Sequence, residues 1–399
     1  MKRRILLVNK FYYPRGGDCI CTINLEKLLV SKGFDAAVFS MIYKKNLTSV
    51  YDSYFASEVN FSTGGVMGRL KAMLRIFGMG DIKKSFEKIL DVYDPHIVHL
   101  HNIHSYLSPV LAEMAYKRGC KVVWTLHDYK LICPSYSCLN KGKICELCFK
   151  DKSQVFKTRC MKGSLAASTL AYAESLYWNR EKLERYVDKF ICPSRFISDK
   201  MEEAGFHKAK LKVICNFIEQ SKIDCFNKSG LKPKEDVYCY VGRLSPEKGV
   251  EDLLKAAVRL PYKLYVAGDG PLLDKLKAEY EQENIVFLGH LSSDGVVDLI
   301  SRSKAMVIPS AWYENNPLSV IESLCMGTPV IGTKIGGIPE LIENGINGCL
   351  VPVSDSEAIK EAVTNIFSMT FDYEHIAKIS RDIYSAERYY SELEKIYFS

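Results

Sequence analysis

The sequence has no stretch of 18 consecutive apolar residues, so it predicts no membrane-spanning helix. Residues 1–10 have a basic head, but the apolar run that follows is too short for a secretory signal peptide. Zinc-finger, homeodomain and RNA-recognition signatures are missing, which argues against a nucleic-acid partner. Short-period repeats and low-complexity tracts are missing as well. These absences favour a globular protein of the cytoplasm that does not bind nucleic acid.

The composition is that of an ordinary globular protein. A chain of 399 residues with 47% hydrophobic and 25% charged residues suggests two domains. In the cytoplasm its 14 cysteines are expected to be thiols or metal ligands rather than disulfides. Residues 1–216 carry a net charge of +15, and the remainder carries −8. Either both surfaces are unremarkable, or the first half faces an anionic membrane or a phosphorylated substrate.

Short apolar runs alternate with longer amphipathic stretches along the first half. The runs are rich in Val and Ile and lack polar alternation, which is typical of parallel strands buried on both faces. We predict strands at residues 5–9, 36–40, 97–100, 122–126, 190–192 and 211–214. Helical patterns between them include residues 21–32 and 108–118. This alternation predicts a parallel α/β sheet.

A second series of the same kind begins near Asp236. Its predicted strands are residues 237–241, 264–267, 285–288, 305–309 and 330–333. Helical patterns at residues 250–259, 272–282, 295–301 and 318–326 separate them. The chain therefore predicts two Rossmann-like halves, each with a ligand crevice at the carboxyl ends of its strands. Residues 216–235, which contain Ser, Lys, Gly and Pro, are the predicted linker.

Three glycine-bearing turns follow strands of the second half. In the first, after Gly242, the cations Arg243 and Lys248 lie just before a helix, where they suit a diphosphate. A solvated loop would have the same composition. The turns at residues 268–271 and 289–290 permit a close approach of the backbone to a ligand, but each alone is a weak signal.

The most informative segment spans residues 309–322 and carries two glutamates, Glu314 and Glu322. A strand ends near its start, and Pro317 is a good first residue for a helix. The next amides are then donors at a positive helix end, suited to phosphate. Glu314 is expected to face the crevice. Glu322, about one turn into the helix, can accept two hydroxyl hydrogen bonds from a sugar, or it is an ordinary surface glutamate.

The order of these motifs resembles the donor-binding domain of family-four retaining glycosyltransferases of the GT-B type. The match extends from Tyr240 to about Pro352. It rests on Gly242-Arg243-Leu244, Lys248, Gly268-Asp269-Gly270-Pro271, Gly289, Glu314, Glu322, Gly327-Thr328-Pro329-Val330 and Gly336-Gly337-Ile338-Pro339-Glu340. The family commonly has Glu-Gly-Phe-Gly where this chain has Glu314-Asn315-Asn316-Pro317, so the chain keeps the glutamate but changes the backbone after it.

The first half resembles the same family less closely. A Gly16-Gly17-Asp18 turn follows the first strand, and in the family such a turn lies beside the donor phosphates and the acceptor. It could also be a plain turn. His127-Asp128 ends the fourth strand and matches a His-Asp segment of the family. The resemblance implies that His127 lies near the anomeric carbon and that Asp128 orients it, although a lone histidine is often structural.

The resemblance implies a role for each matching position. The diphosphate would be held by Arg243 and Lys248, the donor sugar by Glu314 and the ribose by Glu322. The implied catalytic residues are His127, Glu314, Arg243 and Lys248. The implied donor-binding residues are Gly16, Gly17, Gly242, Arg243, Lys248, Gly268, Gly289, Asn316, Pro317, Leu318, Ser319 and Glu322. The acceptor side would comprise Asp18, His127 and Asp128.

A cysteine-rich segment, residues 133–160, follows the His-Asp motif. Its cysteines are Cys133, Cys138, Cys145, Cys148 and Cys160. The spacing of Cys145 and Cys148 is typical of zinc sites, but the other spacings are irregular and the cluster has no histidine. A structural zinc ion and free thiols are equally good interpretations, and redox chemistry ranks below both.

One amphipathic stretch lies outside these motifs. Residues 66–77 combine Arg69, Lys71 and Arg75 with apolar side chains. The stretch either contacts an anionic membrane surface at the inner face of the membrane or forms a lid on the acceptor cleft.

The resemblance implies a GT-B fold, in which two Rossmann-like domains have parallel sheets facing an interdomain cleft. We expect residues 1–216 to form the acceptor-binding domain and residues 217–381 the donor-binding domain. Residues 382–399 would form a C-terminal helix that packs back on the first domain. This helix could equally be a free amphipathic one.

The sequence thus predicts a hexosyltransferase-type enzyme that moves a sugar from a nucleotide-diphosphate sugar to a glycan or lipid-linked saccharide, with retention. No acidic metal-binding triplet is evident, so catalysis is expected to need no cofactor, because Arg243, Lys248 and helix amides stabilise the leaving diphosphate. The alternatives are a sugar-nucleotide epimerase or hydrolase on the same fold, and a non-catalytic nucleotide-sugar-binding partner. An epimerase would change the donor without an acceptor.

Overall fold

A computed structural model describes residues 3–61 and 65–399 of the chain. The chain divides into two compact units. Unit 1 is formed by the described residues up to Lys141, by Cys145–Cys215 and by Tyr390–Ser399. Unit 2 is formed by Gly142–Ile144 and Asn216–Tyr389.

Unit 1 is built on a six-stranded sheet. The first eight strands of the chain are β1 (Arg4–Val8), β2 (Asp35–Phe39), β3 (Ile97–Leu100), β4 (Lys121–Thr125), the hairpin β5 (Leu139–Asn140) and β6 (Lys143–Ile144), β7 (Lys189–Cys192) and β8 (Leu211–Val213). The sheet order is β2-β1-β3-β4-β7-β8, and its strand pairs are parallel. In β1 every residue from Ile5 to Val8 is fully buried, as a parallel strand covered on both faces requires.

Helices connect the strands of this sheet. They are α1 (Gly17–Ser31), α2 (Gly65–Ile76), α3 (Ile82–Tyr93), α4 (Val110–Lys117), α5 (Gln154–Lys157), α6 (Leu165–Tyr177), α7 (Arg180–Tyr186) and α8 (Arg195–Glu203). Ser194 begins α8 by accepting a hydrogen bond from the Ile197 amide, as an N-cap serine does.

Unit 2 has a second six-stranded parallel sheet. Its strands are β9 (Glu235–Val241), β10 (Lys263–Ala267), β11 (Ile285–Gly289), β12 (Ser303–Ile308), β13 (Val330–Thr333) and β14 (Gly348–Val351). Their order is β11-β10-β9-β12-β13-β14. The remaining helices are α9 (Gln220–Ser229), α10 (Val250–Ala257), α11 (Leu273–Tyr280), α12 (Ser293–Arg302), α13 (Leu318–Cys325), α14 (Ser356–Ser368), α15 (Tyr373–Ile383) and α16 (Ala386–Tyr397).

The end of α16 lies in unit 1. There the Tyr397 hydroxyl is 2.6 Å from Nδ1 of His99, and the Phe398 ring stacks on Phe34 with 6.0 Å between centroids. The backbone at Ser399 accepts a hydrogen bond from Lys121 Nζ at 2.7 Å. These contacts place Tyr390–Ser399 against the sheet of unit 1.

The predicted α/β class with two parallel sheets is confirmed, and two of its strand predictions, residues 97–100 and 330–333, match to the residue. The predicted linker differs, because residues 220–229 of it form α9. Its buried Ile223 and Phe226 are three positions apart on one helix face, a pattern that the surrounding polar residues conceal. The sequence did not predict strand β14. It is an edge strand whose two middle residues are only half-buried, so it lacks the continuous apolar run of a central strand.

The order of each sheet fixes where a ligand site can form. Strands are added first on one side of β1 or β9 and then on the other, so the strand order reverses between β1 and β3 in unit 1 and between β9 and β12 in unit 2. We call each of these positions the switch point of its sheet. In open parallel sheets, the loops after the two strands at such a point diverge and leave a crevice. The predicted site residues follow these four strands or their neighbours, so the topology gathers them at the carboxyl edge of each sheet.

Close backbone packing at that edge of unit 2 generates the first prediction. Gly268 has φ of +141°, and a Cβ there would lie 1.8 Å from the carbonyl oxygen of Gly242. Gly268→Ala is therefore expected to lower the free energy of unfolding of unit 2 by about 2–5 kcal/mol, because it adds both backbone strain and overpacking. Chemical denaturation measures this change.

The control is Gly295→Ala in α12, where an added Cβ makes only ordinary contacts, the nearest at 3.4 Å. Its stability should change by less than about 1 kcal/mol. Equal stability of the two variants would contradict the close approach at Gly268.

Candidate functional site

A buried carboxylate, that of Glu314, lies at the carboxyl edge of the unit 2 sheet. Glu314 is 7% exposed and follows β12. Its Oε1 accepts hydrogen bonds from Lys248 Nζ at 2.6 Å, Ser310 Oγ at 2.7 Å and Trp312 Nε1 at 2.9 Å. Lys248 comes from the turn after β9, so the two strands at the switch point each contribute one charge of the ion pair.

The three donors around Glu314 keep its carboxylate ionised. Burial raises the pKa of its carboxyl group, but the attraction of Lys248 and the hydrogen bonds from Lys248, Ser310 and Trp312 outweigh burial and lower the pKa below its usual value. Glu314 is therefore an anion at neutral pH. The Lys248 ammonium also lies 5.1 Å from the centroid of the Trp312 ring.

The glycine-bearing turns of unit 2 are bonded to one another through their backbones. The Gly242 amide donates to Ala267 O at 3.0 Å, and the Gly268 amide donates to Gly289 O at 2.8 Å. These bonds bring the turns after β9, β10 and β11 side by side. The side chain of Arg243 projects from the first turn and is exposed. In the part of the chain that the structure describes, it has no ion pair.

Helix α13 begins immediately after Pro317. The bonded ladder starts at Val320, whose amide donates to Pro317 O at 3.1 Å, so the amides of Leu318 and Ser319 precede it. Asn316 is 5% exposed, and its Nδ2 has no hydrogen-bond partner among the described residues. These donors lie at the positive end of the helix, where an anion is stabilised.

The second predicted glutamate, Glu322, lies within α13. Its Oε1 accepts a hydrogen bond at 2.6 Å from Lys222 of α9, and its side chain is 21% exposed. Lys222 was not predicted as a site residue, because it lies in the segment taken for a linker. Asn216 was not predicted either, and its backbone amide donates to Asn316 Oδ1 at 2.9 Å. Such partners are invisible to motif reading, because α9 meets α13 only in the folded unit.

In unit 1 the predicted Gly16-Gly17 turn is the start of α1. Asp18 lies in the first turn of this helix, where its charge suits the helix dipole. Its Oδ2 is buried and accepts no hydrogen bond from the described residues, and it lies 3.9 Å from Lys10 Nζ. Lys10 follows β1, so the charged pair is at the switch point of the unit 1 sheet.

His127 and Asp128 follow β4, but the two side chains are not bonded to each other. Nε2 of His127 lies 2.9 Å from Nδ1 of His101, the residue after β3. Asp128 Oδ1 accepts a hydrogen bond from the Lys130 amide at 2.9 Å and lies 3.7 Å from His104 Nε2. The ring partner of His127 is therefore another histidine, and an orienting role of Asp128 stays a prediction.

Both members of the motif have shifted pKa values. Burial lowers the pKa of His127, although the charges of Asp18 and Asp128 oppose the shift. The ring is therefore neutral at neutral pH. Burial also raises the pKa of Asp128, against the attraction of Lys10 and Lys130.

The five cysteines of the cysteine-rich segment are free thiols, of which Cys133, Cys138 and Cys148 are buried. Hydrogen bonding from Cys138 outweighs burial and, with that from Ser135, lowers the pKa of Cys133 to about 6. Across residues 3–61 and 65–399, no three His, Cys, Asp or Glu side chains are grouped so that they could hold a metal ion. The zinc interpretation of the spacing thus has no support from the geometry.

The amphipathic stretch of residues 66–77 forms most of α2. Its exposed apolar side chains are Val66, Met67, Leu70, Met73 and Leu74. Arg69 and Lys71 are exposed as well. Among the described residues, no helix combines the length and the apolar character that crossing a membrane requires.

The expectation that Arg75 is a third surface cation of this stretch is wrong. Arg75 is 1% exposed and forms an ion pair with Asp81. Its guanidinium also donates to the carbonyl oxygens of Tyr106 and Ser57, each at 3.3 Å. Asp81 and these acceptors compensate the charge inside unit 1, although the Nε of Arg75 has no hydrogen-bond partner among the described residues.

Two family profiles match the chain. The profile described as Glycosyltransferase Family 4 matches residues 16–222, which is more than half of the chain. The profile described as Glycosyl transferases group 1 matches residues 221–383.

Individual proteins resemble the chain over different lengths. An uncharacterized 42.6 kDa protein in the cps region of Klebsiella pneumoniae is 29% identical over 357 residues, which cover 84% of this chain and 87% of that protein. Glycogen synthase of Mycobacterium tuberculosis is 28% identical over 52% of this chain and 56% of that enzyme. The structure of Anabaena Alr3699/HepE in complex with UDP and glucose has a TM-score of 0.64 at 18% identity, with 98% of both chains covered. This likeness shows the fold.

The second prediction concerns the Lys248–Glu314 ion pair. In the native protein the lowered pKa of Glu314 contributes stability that is present above the unfolded-state pKa and is lost as pH falls through the folded-state pKa. Lys248→Met should raise the pKa of Glu314, because burial then acts without the opposing cation. The unfolding free energy of Lys248→Met should therefore fall below that of the unmodified protein, and this deficit should grow from pH 4 to pH 7, where it reaches about 3 kcal/mol.

Thermal and chemical unfolding at each pH measure the deficit. The control is Lys334→Met, which removes an exposed cation from the same unit. Its deficit should stay small and constant with pH. If the deficit of Lys248→Met also stays constant with pH, Glu314 does not depend on Lys248 for its charge.

Proposed function

The chain belongs to glycosyltransferase family 4, and from this membership we propose that it moves a sugar from a nucleoside-diphosphate sugar to a hydroxyl of a glycan or lipid-linked saccharide. The observation that carries the proposal is the Lys248–Glu314 pair at the switch point of unit 2, beside Arg243 and the start of α13. The similarity to glycogen synthase supports a glycan product.

The donor diphosphate is proposed to bind among the positive groups of unit 2. Arg243 is exposed and has no ion pair within the described residues, so its charge is available to an anion. The amides of Leu318 and Ser319 and the Nδ2 of Asn316 are further donors at the start of α13. The Anabaena neighbour binds UDP and glucose, which supports a uridine nucleotide as the first probe for this chain.

Glu314 is proposed to hold the sugar of the donor. An ionised carboxylate accepts hydrogen bonds only, so it suits sugar hydroxyl groups as donors. Three of the bonds that fix its position converge on Oε1. Glu322 is proposed to bind the ribose hydroxyls, in which case the hydroxyls share the carboxylate with Lys222.

The proposed reaction breaks the bond between the anomeric carbon and the diphosphate, and forms a bond from that carbon to the acceptor oxygen with retained configuration. The proton of the acceptor hydroxyl passes to the departing phosphate oxygen. The leaving diphosphate gains negative charge, which Arg243, Lys248 and the α13 amides stabilise electrostatically. These groups are fixed cations and dipoles, so the proposal assigns no divalent ion to the step. In unit 1, His127 and Asp128 are proposed to bind the acceptor.

The third prediction tests the donor site. Arg243→Ala and Lys248→Ala should each weaken binding of UDP about 10- to 100-fold, because each removes a charge-assisted contact worth about 1.5–3 kcal/mol. Isothermal titration calorimetry with UDP, ADP and GDP also identifies the base.

The matched control is Lys255→Ala, which removes a half-exposed cation from the body of α10. Its affinity for the nucleotide should equal that of the unmodified protein. If the unmodified protein binds the nucleotide and both site variants bind it with the same affinity, the proposed diphosphate site is refuted.

The inner face of a membrane is the second proposed partner, and α2 is the proposed contact. Its exposed apolar side chains include Val66, at 82% exposed, and Met67, at 76%. Such a face, with Arg69 and Lys71 beside it, combines apolar insertion with attraction to anionic lipid. A lipid-linked acceptor would be presented at the same surface.

The fourth prediction tests this contact with vesicles. Arg69→Glu combined with Lys71→Glu should weaken binding to vesicles that contain anionic phospholipid by at least about tenfold, because each cation near the surface contributes about 1 kcal/mol. Binding should also fall steeply with salt. Vesicle co-sedimentation measures both effects.

Lys83→Glu combined with Lys84→Glu is the control, because it changes the net charge equally on the exposed face of α3. An equal loss in both double variants would contradict a contact through α2. Equal binding to neutral and anionic vesicles would exclude an electrostatic contact altogether.

A further inference from the structure

Two imidazole rings meet at the carboxyl edge of the unit 1 sheet. His101 directly follows β3, and His127 is the second residue after β4. These strands pair in parallel, so the residues that follow them lie side by side. Nδ1 of His101 is 2.9 Å from Nε2 of His127, and the rings are inclined by 22°. This distance is a hydrogen bond, so one of the two nitrogens carries the proton.

The environment of His101 decides which nitrogen carries it. His101 is 2% exposed, and its Nε2 has no hydrogen-bond partner among the described residues. If the His101 proton were on Nε2, a buried N–H donor would be unpaired. If the proton is on Nδ1, the unpaired group is only a lone pair. Orphaned buried N–H groups are the rarer and costlier case, so the Nδ1–H form of His101 is favoured.

The ring of His101 is held in place from several sides. Its backbone amide donates to Val8 O at 2.9 Å, and its carbonyl oxygen accepts from Trp124 Nε1 at 2.8 Å. The ring stacks on His99 with 4.5 Å between centroids. Both nitrogens of His99 are engaged, by Tyr397 and by Thr125. His101 is therefore a rigid donor and not a mobile side chain.

We propose that His101 is a positioning residue, which donates from Nδ1 to Nε2 of His127 and thereby keeps the His127 proton on Nδ1. His127 then presents an Nδ1–H group as a hydrogen-bond donor to an oxygen atom of the acceptor saccharide. His127 is half-buried, and the hydrogen bond of its ring within residues 3–61 and 65–399 is at Nε2, which leaves Nδ1 without a bond there. Only the contact with sugar rests on the proposed function; the tautomer does not.

Nuclear magnetic resonance of the free protein tests the tautomer. The protein is labelled with ¹⁵N-histidine, and the two-bond ¹H–¹⁵N correlations of His127 are assigned by comparison with His127→Gln. In the unmodified protein His127 should be the Nδ1–H tautomer at neutral pH. An Nε2–H tautomer would overturn the proposal.

Two variants separate positioning from mere packing. His101→Asn places an amide N–H near the position of Nδ1 and should retain the Nδ1–H tautomer of His127. His101→Phe fills the space without a donor and should lose that preference. The thermal midpoint and the correlations of His99 and His104 report whether each variant is folded. An unchanged tautomer in folded His101→Phe would overturn the proposal. If His101→Phe does not fold, loss of the Nδ1–H tautomer in folded His101→Asn would overturn it instead.

Sugar transfer supplies the second readout. His101→Phe should lower kcat roughly 10- to 100-fold with little change in KM, because His127 is misoriented, and His101→Asn should restore most of the loss. A changed tautomer with unchanged kcat would overturn the positioning role. Absence of transfer by the unmodified protein would instead contradict the proposed function, while the tautomer measured in the free protein still decides the His101–His127 contact.

Discussion

Unit 2 is organised around one buried negative charge, the carboxylate of Glu314. An unpaired carboxylate in such a place would take up a proton, because water no longer solvates its charge. Lys248, Ser310 and Trp312 supply the compensation, with all three donor atoms within 3 Å of Oε1. The turn that carries Lys248 and the turn that carries Glu314 therefore have to follow adjacent strands, and the sheet order provides that adjacency.

The turns around this pair depend on close contact between backbones. Gly336 illustrates the constraint, because an added Cβ there would lie 2.3 Å from the carbonyl oxygen of Glu314. The neighbouring Gly337 amide donates to that same oxygen at 2.7 Å. The glycine motif after β13 thus fixes the backbone of Glu314, while Lys248 fixes its side chain. The result is a preorganised hydrogen-bond acceptor with cationic and amide donors nearby, to which we assign the sugar hydroxyls and the phosphate by proposal.

The strands could be predicted from the sequence because fully buried parallel strands leave continuous apolar runs. Lys248 and Glu314 could be picked out because their motifs keep fixed spacings along the chain. Two supporting residues could not be predicted, namely Lys222, which bonds to Glu322, and His101, which contacts His127. Both act through contacts between elements that no local pattern encodes. For Arg75 the helix was predicted correctly, but the side chain was wrongly expected on the surface. Its ion pair with Asp81, six residues later, allows the charge to be buried.

We propose that the chain's own cations and amides hold the donor diphosphate without a divalent ion. The most direct test is calorimetric titration with the nucleoside diphosphate in buffer containing a chelator, compared with the same titration in buffer containing magnesium. We expect the same dissociation constant in both buffers, with an affinity that depends on Arg243 and Lys248. Binding that disappears with the chelator and returns with magnesium would contradict it.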